Sequence, residues 1–96
     1  MFLARVYVTL KPTVNDPQGR TILGGLKSLG FDLATEVRAG KYLEIKVAST
    51  GRAAAETTVE EMCQKLLANP VIEQFRFDLE AVTSAVKDQN PPNPPL

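Results

Sequence analysis

Thr35-Glu36-Val37-Arg38-Ala39-Gly40-Lys41-Tyr42-Leu43-Glu44-Ile45-Lys46-Val47 reads as two strands joined at a tight turn. Leu43, Ile45 and Val47 alternate with Tyr42, Glu44 and Lys46, the period of a strand with one buried face. The strand so predicted runs from Lys41 to Ala48. Before it, Phe31 to Ala39 holds a second strand centred on Thr35 to Arg38, and Ala39-Gly40 supplies the turn. A short glycine connection between two such runs predicts an antiparallel hairpin. With one strand on either side of it in the chain, this hairpin makes a sheet of four.

The outer strands are Phe2 to Leu10 and Val71 to Leu79. In the first, Phe2, Ala4, Val6, Val8 and Leu10 share a face and Leu3, Arg5, Tyr7 and Thr9 share the other. In the last, Val71, Phe75, Phe77 and Leu79 share a face that Glu73 interrupts. Two helices fill the gaps. Asp16 caps the first, Pro17 takes the first helical position, and Ile22, Leu23, Leu26 and Leu29 recur at helical spacing up to Gly30. Thr58-Val59-Glu60-Glu61 has the form of a capping box opening the second, whose stripe is Val59, Met62, Cys63, Leu66 and Leu67 before Asn69-Pro70 ends it. The Ala-rich stretch Ser49 to Glu56 is either loop or a backward extension of that helix.

The order β-α-β-β-α-β predicts an α+β fold. The expected form is a two-layer sandwich, a four-stranded antiparallel sheet with two helices on one face. Residues 1–82 make one domain, and 83–96, with four of the seven prolines, reads as a Pro-rich flexible C-terminal tail. Ninety-six residues leave no room for a second domain.

Composition narrows the chemistry. There is no histidine and no tryptophan, and Cys63 is the one cysteine. His-based acid–base catalysis, Ser-His or Cys-His nucleophile pairs, Cys/His zinc sites and internal disulfides are thereby excluded. A lone cysteine suits a reducing cytoplasm. Lys plus Arg and Asp plus Glu are both 11, so no net field draws in nucleic acid or an anionic membrane. Neither GxGxxG nor a phosphate-binding GxxxxGK[ST] is present. No catalytic, cofactor or metal residue is therefore expected.

Several residues admit two readings. Asp16-Pro17-Gln18-Gly19 is a capped helix start or a partner site. Gly24-Gly25 inside the first helix costs roughly 0.5–1 kcal/mol per glycine relative to alanine. Either the sheet or another chain's backbone approaches there. Arg38, Lys41 and Glu44 flank a solvated turn or form a polar contact surface. Cys63 reads as a small buried hydrophobe. Leu3, Tyr7, Tyr42 and Ile72 on the open face are scattered apolar residues or a patch covered by a second subunit.

An ordered set of segments then becomes specific. It comprises Tyr7–Lys11, Asp16–Gly19, Leu29-Gly30, Val37–Glu44 and Met62–Glu73. Together they closely resemble the PurS family, the small subunit of phosphoribosylformylglycinamidine synthase, over about Val6 to Val82. The resemblance implies a ligase complex of purine synthesis that uses formylglycinamide ribonucleotide, glutamine and ATP. A large synthetase subunit performs the ATP-dependent amidation and a glutaminase subunit releases ammonia. The small subunit is implied to be cytoplasmic, non-catalytic and without cofactor. It forms a homodimer or higher homo-oligomer and joins the other two so that ammonia is transferred. The matching segments place partner contacts at Asp16, Gln18, Arg38, Lys41 and Asn69. The same element order is similar to ACT domains, so an ACT-like small-molecule-binding regulatory module is the alternative. An acylphosphatase would need a glycine-rich cradle after the first strand, which this chain lacks.

Overall fold

Strand β1 (Phe2–Leu10) alternates fully covered and half-covered residues along its length and takes the centre of the sheet. The computed structural model describes residues 1–82, and the tail expected over 83–96 lies outside them. After β1 come α1 (Pro17–Ser28), β2 (Gly40–Val47), α2 (Arg52–Met62) and β3 (Glu73–Ala81). The sheet order is β2-β1-β3, with both pairings antiparallel. Val6 stands opposite Leu43 on one side and Phe77 on the other, and Ala4 opposite Ile45 and Leu79.

The sheet therefore has three strands, not the four expected. Thr35 to Arg38 forms no ladder. The expected turn at Ala39-Gly40 does not form. Hairpin turns of two residues need positive φ, and Gly30 is the glycine that has it (φ 94°), not Gly40. Gly40 is instead the first residue of β2, opposite Thr9. A Cβ there would press on the Val8 carbonyl oxygen and the Thr9 side chain, so the glycine serves close approach rather than reversal. The chain runs straight into β2, and the Ala39 N–H goes to a side chain, Asp16 Oδ2, at 2.7 Å. The α+β class stands.

Helix α2 packs on β1. Ala55, Val59 and Cys63 are sealed against Phe2, Ala4, Val6 and Val8, with Phe75, Phe77, Leu79, Leu43 and Ile45 around them. Each fully buried valine contributes roughly 1.5–3 kcal/mol of transfer free energy. The helix begins at Arg52, six residues before Thr58. The Ala53–Ala55 run does extend it backwards, because alanine is the best helix former. The Thr58 capping box accordingly lies mid-helix and caps nothing. Cys63–Leu67 continue as a π-helical turn. Among the described residues, no helix is long and apolar enough to cross a membrane.

Helix α1 behaves differently. Its cap and its Gly30 terminator are as expected. Yet it has no packing on the sheet comparable to that of α2, and Gly19 is its one fully buried residue. Gly24 and Gly25 meet nothing within 4 Å, so a close approach by this chain's own sheet does not account for them.

Gly19 is the sharp case. A Cβ there would be driven into the Val37 carbonyl oxygen and against Asp16 Oδ2. Gly19→Ala should cost about 1–3 kcal/mol, seen as a lower urea midpoint. Gly24→Ala, on the open side of the same helix, should raise the unfolding free energy by roughly 0.5–1 kcal/mol, seen as a higher urea midpoint.

Candidate partner-contact site

One end of the sheet collects the end of β1, the start of α1, the entry to β2 and the entry to β3. Asp16 organises it. Its Oδ1 accepts the Gly19 N–H at 2.9 Å and its Oδ2 accepts the Ala39 N–H at 2.7 Å, and the residue is only 3% exposed. These bonds to Gly19 and Ala39, with the Arg38 charge nearby, hold its carboxyl below the usual value of 3.8. Arg38 Nη2 donates to the carbonyls of Lys11 (2.9 Å) and Val14 (2.8 Å), closing the loop before α1. The Lys11 N–H reaches the Ile72 carbonyl at 2.9 Å, tying in the start of β3. There the Asn69 N–H donates to Glu73 Oε1 at 2.6 Å, and Asn69 Oδ1 accepts the Val71 N–H at 3.0 Å.

A cleft of about 270 Å³ opens at this junction, lined among others by Thr9, Asp16, Gln18, Lys41 and Glu73. So three residues singled out from the sequence, Asp16, Gln18 and Lys41, share one cleft. Arg38 braces it from behind. Asn69 joins through Glu73. Gln18, Arg38, Lys41 and Asn69 are exposed, whereas Asp16 is a buried brace. Glu73 was not singled out as a site residue. Its signal was its place as a lone acid on the apolar face of the last strand. The cleft offers hydrogen-bond donors and acceptors and one exposed ammonium, that of Lys41. Asp16 spends its acceptors on backbone N–H groups, which leaves it positioning the cleft and not reacting in it.

Cys63 is buried, and desolvation, then the nearby Glu60 charge, pushes its thiol up, which disfavours the thiolate. On the open face, Tyr7 lies 5.1 Å from the Tyr42 ring and under the Arg76 guanidinium at 3.9 Å. Arg5 pairs with Asp78 and Glu80. Tyr42 nonetheless remains 48% exposed on that face.

Comparison with known proteins supplies the rest. The profile of the PurS family, described as phosphoribosylformylglycinamidine (FGAM) synthase, matches residues 3–81. The phosphoribosylformylglycinamidine synthase subunit PurS of Synechocystis is 44% identical over 82 residues, 85% of this chain and 82% of that protein. The Bacillus subtilis subunit of the same name is 42% identical over 88% of this chain and 99% of its own length. The solved B. subtilis PurS structure superposes with a TM-score of 0.77, covering 84% of this chain and all of that one. A chain in the Thermotoga maritima PurLQS structure gives 0.75 at 26% identity, covering 83% of this chain and 99% of that one.

Asp16 also sets a pH dependence. Its folded value is depressed, so its contribution is present above 3.8 and is lost as pH falls through the lower folded value. The stability gap between wild type and Asp16→Asn, measured by urea unfolding, should be constant near neutrality. It should shrink toward zero in strong acid.

Proposed function

The chain belongs to the PurS family of phosphoribosylformylglycinamidine synthase subunits in purine biosynthesis, and from that premise we propose that it works by organisation rather than by chemistry. It associates with itself and joins a synthetase subunit to a glutaminase subunit in the cytoplasm. Ammonia released by one is thereby delivered to the other. The observation that carries this is the family match across almost all of the described chain. Its likeness to a chain in the PurLQS structure lends support.

The physical sense is positional. Holding two sites together replaces a dilute second encounter by an intramolecular one and raises the effective concentration of the transferred molecule. The exposed groups around the cleft, Gln18, Arg38, Lys41 and Asn69, are the contacts we assign to the partners, with Asp16 holding them in place.

The test compares glutamine-dependent and ammonia-dependent product formation by the matching synthetase and glutaminase subunits, with and without this chain. The glutamine-dependent rate should need it and the ammonia-dependent rate should not. Lys41→Glu leaves the clamp around Asp16 intact. It should weaken assembly about tenfold or more, equivalent to at least about 1.4 kcal/mol, read as the concentration of chain needed for half-maximal glutamine-dependent rate. An unchanged half-maximal concentration would remove Lys41 from the contact surface.

A further inference from the structure

The open face of the sheet, opposite α2, carries one aromatic row. Tyr42, Tyr7 and Arg76 stand side by side across β2, β1 and β3. The two rings are 5.1 Å apart, and the Arg76 guanidinium covers Tyr7 at 3.9 Å. Tyr42 has no such cover and is 48% exposed. A shallow hollow of about 270 Å³ beside Tyr7 and Arg76 continues the row.

Beyond the described residues the sequence repeats a triplet, Asn90-Pro91-Pro92 and then Asn93-Pro94-Pro95. The family match stops at residue 81, so the subunit reading gives this stretch no role. Four prolines without N–H groups cannot extend the sheet along the free edge of β2 or β3. They suit an aromatic surface instead, the way Pro-x-x-Pro segments are bound. A period of three is that of a polyproline II helix, in which Pro91 and Pro94 recur on one side about 9 Å apart. The outer members of the aromatic row, on β2 and β3, are two strand spacings apart, about 9–10 Å.

We propose that residues 90–95 fold back over the open face of their own sheet, laying Pro91 and Pro94 across the Tyr42–Tyr7–Arg76 row. The occupant is this chain's own segment because of where the described chain ends. The Val82 N–H donates to the Met1 carbonyl at 2.9 Å, beside the pairing of Ala81 with Phe2. The return from Phe2 to the Tyr7 row is five strand residues, about 17 Å. Thr83 to Asn90 is eight residues, with an extended reach of about 27 Å, which leaves length for the reversal. Lys87, the one cation of that stretch, returns past Asp78 and Glu80, two carboxylates that share Arg5. Tethering holds the prolines near the row at a concentration on the order of millimolar, ahead of a free ligand. The strap takes the open face out of assembly and leaves recognition to the cleft.

The full chain supplies its own probe, since Tyr7 and Tyr42 are its two tyrosines and it has no tryptophan. Nuclear Overhauser contacts are expected between the ring protons of Pro91 or Pro94 and those of Tyr42. In a mixture of labelled and unlabelled chains, filtered spectra should show these contacts within one chain and none between chains. Replacing both prolines, Pro91→Ser with Pro94→Ser, should raise acrylamide quenching of the tyrosine emission about twofold by uncovering Tyr42. The far-ultraviolet spectrum should not change, because the substitutions lie outside the sheet and helices. Absent contacts, contacts between chains, contacts that form only when the synthetase and glutaminase subunits are added, or unchanged quenching would each overturn the proposal. The glutamine-dependent assay is read separately, so the subunit reading would survive any of these.

Discussion

A buried carboxylate must keep hydrogen bonds to replace the water it loses, and Asp16 finds them on two stretches of chain at once. One is the Gly19 N–H in the first turn of α1 and the other is the Ala39 N–H beside β2. That double acceptance joins the start of α1 to the entry of β2. The closeness it imposes explains why position 19 is glycine, since any Cβ would strike the Val37 carbonyl. It also diverts Ala39 from ladder pairing, and so bears on the strand count. Arg38, fastened to the carbonyls of Lys11 and Val14, closes the remaining loop around the same point.

What could be read from the sequence divides along the range of the interaction. The alternation of Phe2–Leu10, the Asp16 cap and the Gly30 terminator depend on neighbours within a turn or on a single buried face, and each is present in the structure. Thr35–Arg38 depended on a partner strand that the pattern of one segment cannot specify. Extended conformation is local, but being a strand is not. At Thr58 two local signals competed, a capping box and an alanine run, and the continuous helix satisfied more backbone groups than a fresh start would have.

The site was less legible than the fold. Gln18 and Lys41 are far apart in the chain and unremarkable in type. They were grouped by resemblance to a family, while the cleft they share is a product of β1 pairing with β2 and of the Asp16 clamp. Glu73 stood out as a polar residue on an apolar face. Its bond to the Asn69 N–H runs between loop and strand, which periodicity does not register.

A subunit whose task is position needs stiffness where it meets others and has little use for reactive groups. With no net charge, the chain has no long-range field to steer partners, so recognition falls to short-range contacts. Two kinds are available at one end of the sheet: a polar cleft whose exposed groups can discriminate between partners, and an apolar helix face whose burial can supply affinity. Both are rooted at Asp16.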